Sequence, residues 1–386
     1  MTITFVSNYL TLHQIPLCEA MYRALGDDFC FVNTEQMEVE RIAMGWKNKI
    51  NYPFEVDLQK AGDLINESDI VIIGSADDSL IQYRIKNNKP VIRYSERILR
   101  EGRWHLLSPR AISKMLKAHT RFSDKRIWML CASAYAAGDY GLFGAYWGKC
   151  YKWGYFPKTI YYSDEQIIRK KNNSVVHILW CGRMLSLKHP EQAVLVAKYL
   201  QNKKISFHMD IIGDGELKEI IQRQIIEYHL EESVLIHGFV APDEVRSYME
   251  KANIFLFTSD FHEGWGAVLN EAMNSGCACV ASHAIGAVPY LIHDEENGLL
   301  YRNGNVRQLC SQVEALAKNV ELCKTMGLNA YHTIVDTWNA DVAATRLISF
   351  CNAIKHQGKL PEYQAGPMSK AQFLSNHWYH KRKKNV

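Results

Sequence analysis

The 386-residue chain holds ten cysteines but no C-x-x-C pair. They are scattered from Cys18 to Cys351, several inside apolar runs such as 179–181 and 277–280. That pattern argues against zinc ribbons and disulfide scaffolds and for buried, reduced thiols. No stretch reaches the roughly 18 apolar residues of a spanning helix. Near Met1 no basic segment leads into a long apolar one, so a secretory leader is not expected and a cytoplasmic setting is. The sequons at Asn66 and Asn172 then carry no meaning. Charge of one sign is also scarce: 45 Lys and Arg against 41 Asp and Glu leave a net charge of only +4. So small an excess does not announce a nucleic-acid binder, and no such motif accompanies it. No G-x-G-x-x-G follows the first apolar run, which argues against a nicotinamide dehydrogenase.

What is present is ordinary globular composition, 47% hydrophobic and 22% charged, at a length that suits two domains. Short β-branched runs alternate with helical patterns. In the first half, 2–7, 69–74, 90–94 and 126–132 read as buried strands, with a helix over 17–25. In the second half, strands are expected at 174–181, 207–212, 233–236, 254–258 and 278–282. Helices are expected at 191–202, 216–229 and 242–251, and another from near Gly266. This alternation predicts an α/β protein of two doubly wound domains with parallel sheets. A polar stretch within 161–173 reads as the linker. The expected domains are 1–165 and 174–345, with 346–386 as a C-terminal helix and basic tail.

In such sheets ligands bind beyond the carboxyl ends of the strands. Gly182-Arg183, Gly213-Asp214-Gly215, His237-Gly238-Phe239 and the segment 259–266 all fall at that edge. The densest signal is 258–273. Glu263 lies in a glycine-containing loop and Glu271 eight residues later in the following helix. Gly264 and Gly266 let the backbone approach a ligand, and free amides at the helix start suit phosphate. Carboxylates beside them suit sugar or ribose hydroxyls. Each glutamate taken alone also reads as a capping acid or a solvated helix residue.

The spacing of Glu263 and Glu271, with Ala272, Met273 and Gly276 after it, resembles the E-x7-E motif of the retaining family 4 glycosyltransferases. Gly182, Arg183, Met184 and Lys188 resemble that family's phosphate loop. Residues 213–217 resemble its G-x-G-x-L turn and 237–240 its nucleotide-base loop. Residues 285–289 and 297–300 resemble the two segments that follow. The match runs over about 174–345; the first half is divergent. The resemblance implies the GT-B fold, two Rossmann-like domains facing each other across a cleft. It also implies transfer from a UDP- or GDP-sugar to a glycan or lipid-linked acceptor in bacterial surface glycan or glycolipid assembly.

Carried over residue by residue, Arg183 and Lys188 offset charge on the leaving diphosphate and Glu263 contacts the donor sugar. Glu271 binds ribose, Phe239 and its neighbours face the base, and the backbone around Gly264, Trp265, Gly266, Val268 and Leu269 completes the phosphate site. Gly182, Gly213 and His262 line the donor pocket. Asp214 reads as a turn former. The chain has no D-x-D triplet, which metal-dependent glycosyltransferases commonly use, so neither a metal site nor a cofactor is expected. His177, His189 and His208 lack ligand spacing and read as structural or surface residues.

The first loop, 7–16, has no glycine, unlike the family pattern. His13 is its candidate cleft residue, with a hydrogen-bonded loop histidine as the plainer reading. After the strand at 90–94, Glu96 stands where many relatives carry a histidine. It is a candidate for catalytic or acceptor contact, with Arg97 beside it as a possible ion-pair partner. Residues 133–139 and the entry segment 153–157 complete this side. Residues 76–130 hold thirteen Lys or Arg and five acids, interleaved with apolar residues. The excess fits an anionic membrane surface, implying peripheral attachment to the inner face of the plasma membrane, or a phosphorylated lipid acceptor. A solvated helix face is the alternative. The basic tail 380–384 reads as a second weak contact. A non-catalytic GT-B protein that binds nucleotide-sugar as a sensor or partner subunit remains the rival function.

Overall fold

The computed structural model describes residues 1–39, 42, 52–102 and 108–379; the basic tail beyond lies outside them. The chain forms two compact units: Met1–Lys158 with Thr337–Trp378, and Thr159–Asp336 with the segment from Tyr379.

In the first unit, strands β1 (Ile3–Ser7), β2 (Phe29–Asn33), β3 (Glu55–Asp57), β4 (Ile70–Ile73), β5 (Val91–Ser95), β6 (Ile127–Cys131) and β7 (Cys150–Lys152) form one sheet. Their order is β3-β2-β1-β4-β5-β6-β7, with every pair parallel. The four runs expected as strands are β1, β4, β5 and β6, which lie centrally and are mostly buried on both faces. β3 and β7 are edge strands of three residues. That is too short to leave a continuous apolar run in the sequence. The edge of β7 is covered from far along the chain. Lys152 donates its amide to the Ser369 carbonyl (2.7 Å), and Met368 and Ala371 donate to the Lys152 and Cys150 carbonyls. Such cover removes an open strand edge. The helix Ala340–Lys355, capped by the Asn339 side chain, packs on the helix Ile15–Leu25. It sets Phe350 against Tyr151, ring centroids 4.6 Å apart.

The second unit holds β8 (Val176–Cys181), β9 (Phe207–Ile212), β10 (Val234–Gly238), β11 (Ile254–Phe257), β12 (Ala278–Ser282) and β13 (Gly298–Tyr301), in the order β10-β9-β8-β11-β12-β13. It too is all parallel. Strand order reverses between β8 and β11. One core of Val194, Ala197, Met209, Ile211, Leu256 and Val280 packs helices against this sheet. The expected polar linker is instead part of this unit. Asp164–Lys170 is a helix with a capping box from Ser163 and Gln166. Its own Ile167 is buried, and the Lys171 ammonium just after it donates to the Met249 (2.6 Å) and Ala252 (2.5 Å) carbonyls. A buried isoleucine and a buried lysine ammonium, helped by Lys170 paired with Glu250 (2.6 Å), dock a segment that looks solvated by composition. All ten cysteines are free thiols, and eight of them are buried.

The basic stretch 76–130 is not one surface. Arg84 is completely buried and donates to five carbonyl oxygens, of Ile65, Asn66, Ser68, Asp69 and Pro90. Burial lowers its pKa to about 10. Arg93 is buried in a bidentate pair with Asp78, and Arg97 is buried against Asp139. Three of the thirteen cations thus serve the interior. Arg103, with Trp104, Leu106 and Leu107, lies outside the described residues. Among those described, no helix is long and apolar enough to cross a membrane.

Replacing Arg84 by Met takes the guanidinium from five buried or part-buried carbonyls, of which that of Asn66 keeps the Lys89 ammonium (2.7 Å). At about 1–3 kcal/mol per stranded buried group, partly recovered by relaxation, a loss of about 3 kcal/mol is expected. Urea unfolding of Arg84→Met against the parent chain measures it.

Candidate functional site

Three strands of the second unit end in glycine turns whose backbones touch. The Gly182 amide donates to the Ile212 carbonyl (3.0 Å), and the Gly213 amide to the Gly238 carbonyl (2.8 Å). Gly213 has φ +133°, and a Cβ there would stand 1.9 Å from the Gly182 carbonyl oxygen. No other residue fits that approach. The turn after β9 is also held by Asp214, which accepts from the Gly215 amide (2.8 Å) and the Lys218 ammonium (2.6 Å). This agrees with the expectation that Asp214 shapes a turn.

Between β8 and β11, where strand order reverses, two loops are tied together. The Lys188 ammonium contacts the Glu263 carboxylate, which also accepts from the Ser259 hydroxyl (3.0 Å). Both side chains are mostly buried, at 16% and 13% exposure. The Lys188 carbonyl accepts from the Thr258 hydroxyl (2.6 Å), which in turn accepts from the Trp180 indole (2.8 Å). The Asp260 amide bonds the Leu187 carbonyl at 3.0 Å. Gly266, at φ +89°, has the Phe257 ring where its Cβ would be, so the loop folds tightly over the end of β11. Arg183 is exposed and forms no ion pair among the described residues.

His189 adds a clasp that sequence reasoning did not find. It has a left-handed backbone (φ 50°, ψ 53°) immediately after Lys188. Its ring bridges Glu191 (2.9 Å) and Asp260 (3.2 Å). Asp260 also accepts from the His262 amide (2.8 Å) and faces the His262 ring (2.9 Å). Hydrogen bonds to Asp260 and Glu191 raise the pKa of His189 to about 9, so it is a cation at neutral pH. Its neighbour Lys188 was the only signal in the sequence; the left-handed conformation and the Asp260 partner appear only in the fold.

Glu271 lies on the helix Val268–Asn274, and burial raises its pKa to about 7, opposed by Arg246. Gly264 is buried in the loop, and Phe239 is 55% exposed beside Gly238 at the end of β10. Other side chains of this segment turn inward. The Trp265 side chain is buried, and its indole donates to Asn270 (2.9 Å), so it braces the loop from inside. The Leu269 amide is spent on the Gly266 carbonyl (3.0 Å) and its side chain is core. Val268 opens that helix.

In the first unit, His13 sits between β1 and the helix Ile15–Leu25, its carbonyl accepting from the Phe156 amide (3.3 Å). Its ring lies 6.2 Å from that of Tyr155, and burial lowers its pKa to about 4, keeping it neutral. The Glu96–Arg97 ion pair, one alternative for these residues, is not among the contacts of the described residues. Arg97 turns inward to Asp139 (3.3 Å) and lies over the Tyr135 ring, which makes it a core residue and not an acceptor contact. Glu96 instead faces Arg100 at 3.9 Å. Asp139 is thereby buried as well, and Ser133 is fully buried.

The family model for glycosyl transferases group 1 matches residues 164–333. This segment is a group 1 glycosyltransferase domain. The chain is similar to poly(ribitol-phosphate) alpha-N-acetylglucosaminyltransferase of Staphylococcus aureus, 25% identical over 172 residues, 45% of this chain and 34% of that one. It is also similar to the N-acetylgalactosamine-N,N'-diacetylbacillosaminyl-diphospho-undecaprenol 4-alpha-N-acetylgalactosaminyltransferase of Campylobacter jejuni, 32% identical over 147 residues, 38% and 39% of the two chains. The chain thus spans between a third and two fifths of these relatives' length. Among solved structures, HepE of Anabaena in complex with UDP superposes with TM-score 0.67 at 15% identity, covering 90% of this chain and 98% of that one. The fold is GT-B: two Rossmann-like domains with parallel sheets of seven and six strands. Every motif that carried the family resemblance lies in the matched glycosyltransferase domain or next to it.

The His189 clasp has a pH signature. Its folded pKa is raised from 6.5 to about 9, so its contribution to stability is complete below about pH 6.5 and lost as pH rises through 9. In His189→Gln the urea midpoint should fall less between pH 6.5 and 9.5 than in the parent chain.

Proposed function

We propose that the chain is a retaining glycosyltransferase that moves a sugar from a UDP- or GDP-sugar to a glycan or lipid-linked acceptor in bacterial surface glycan assembly. The observation that supports this most is the Lys188–Glu263 contact at the strand reversal, with Arg183 on the same loop. Doubly wound sheets bind ligands at such a reversal. Arg183 and Lys188 would offset charge on the departing diphosphate, and the preorganised loop would spend little free energy on rearrangement. Glu263 would meet hydroxyls of the donor sugar and Glu271 those of the ribose.

In the step itself the acceptor hydroxyl attacks the anomeric carbon from the face the diphosphate leaves. The bond to the diphosphate oxygen breaks as the new glycosidic bond forms. The proton of the acceptor hydroxyl passes to the departing phosphate oxygen, so charge and protons balance without a protein nucleophile. The two cations stand in the role a divalent metal fills elsewhere, so turnover should survive a chelator. The names of the relatives, which act on polyol-phosphate and diphospho-undecaprenol acceptors, support an acceptor that carries phosphate. Peripheral attachment to an anionic membrane belongs to the same reading, supported by the exposed cations of the first unit.

Donor hydrolysis and transfer across a panel of UDP- and GDP-sugars test this. Lys188→Ala and Glu263→Ala should each lower turnover by about a hundredfold or more. Parent-like rates in both would remove the site assignment. NMR of the first-formed product reads the anomeric outcome, and inversion would refute retention. Added EDTA should leave the rate unchanged.

A further inference from the structure

The turn after β10 hangs from the outermost strand of its sheet. The register of β10 with β9 breaks just before it: Ile236 pairs with Ile211 and Gly238 with Ile212, which leaves His237 bulged out of the ladder. A bulged residue at a sheet edge has no strand pairing to aim it, so something else must hold its ring. Asp210 does. Successive side chains of a strand alternate, so His208 and Asp210 share one face of β9. One Asp210 oxygen lies 2.7 Å from His237 Nε2 and 3.1 Å from His208 Nε2. A carboxylate only accepts, so both Nε2 atoms donate. On its other side the His237 ring meets Tyr248 of the helix Pro242–Lys251, with the hydroxyl 3.5 Å from Nδ1 and the ring centroids 4.8 Å apart. The Asp210 side chain is only 15% exposed. A carboxylate placed there is costly unless such bonds compensate it.

The anchored ring fixes the backbone that follows it. Gly238 takes φ +68°, and its carbonyl accepts from the Gly213 amide (2.8 Å). Phe239 then stands exposed. Arg183 and Lys188 belong to a different loop, after β8, and among the described residues neither Asp210 nor His237 bonds to them. We propose that Asp210 and His237 are positioning residues for the base of the donor nucleotide: Asp210 holds His237, and His237 sets the turn whose Gly238 and Phe239 meet the base. This role rests on the glycosyltransferase reading above. It adds a division of labour, with the β10 turn serving the base and the β8 and β11 loops serving the diphosphate.

Calorimetric titration of the full chain with UDP, GDP and inorganic diphosphate tests this. His237→Ala and Asp210→Ala should each weaken binding of the nucleotide that the parent chain takes by about tenfold, and leave diphosphate binding as in the parent. The two losses should not add in the double variant, because either one breaks the same anchor. His237→Gln keeps a donor for Asp210 and should recover most of the affinity. In donor turnover the loss should fall on KM and not on kcat. If an alanine variant loses its urea transition, Asp210→Asn, which keeps an acceptor oxygen but not the charge, should show the same selective loss at smaller size. A parallel fall for nucleotide and diphosphate would reduce the pair to a structural brace and overturn the positioning role. Additive losses, or parent-like nucleotide affinity in the variants, would overturn it equally. Donor turnover measured in parallel keeps the two readings apart. Base-selective loss without turnover of any donor overturns the transferase reading alone, and turnover without base-selective loss overturns the positioning role alone. A parent chain that binds neither nucleotide and turns over no donor overturns both.

Discussion

The second unit is organised around the contact between Lys188 and Glu263. A mostly buried cation and carboxylate cannot be left single without a large desolvation cost. The loops that carry them, after β8 and β11, are therefore held together at the one place where strand order reverses. The supporting bonds serve the same end. Thr258 ties the Lys188 backbone to Trp180, Ser259 holds Glu263, and Asp260 reaches both the Leu187 carbonyl and His189. These bonds fix both loops before any ligand arrives.

Close backbone approach supplies the other half of that arrangement. Gly213 lets the β9 turn lie against Gly182, and Gly266 lets the β11 loop fold over Phe257. His189 shows the opposite solution. It adopts a left-handed backbone although a glycine would do so with less strain, and its ring then binds two carboxylates. The strain is local, and the return is a fixed distance between the Lys188 loop and the Asp260 loop.

Cations of the first unit show why residue counts mislead about surfaces. Arg84, Arg93 and Arg97 look from the sequence like members of one basic field. Arg84 closes a ring of carbonyls, Arg93 neutralises Asp78, and Arg97 fixes Asp139. Asp78, held by Arg93, also lines a depression beside the exposed cations of the helix Pro109–Ala118. Interior and exposed charge thus meet at a single aspartate.

The sequence alone determined the α/β fold with parallel sheets and most of the central strands, though not β2, and it drew attention to the glycine turns and spaced carboxylates of the second unit. Buried parallel strands need continuous β-branched runs, and glycine turns with a cation and two spaced carboxylates leave a pattern in order along the chain. It did not reveal the edge strands β3 and β7, three residues each and too short to leave a continuous apolar run. Nor did it reveal the helix Asp164–Lys170, which is docked by Ile167 and Lys171 within a polar stretch. Tertiary structure alone decided partners: Arg97 with Asp139 and not Glu96, Trp265 turned to Asn270 inside the loop, His189 clasped by Asp260 seventy-one residues away. It also sorted the basic residues into buried and exposed. Local sequence sets what a segment prefers, whereas the pairing of charges depends on which distant segments the packed sheets bring within hydrogen-bond reach.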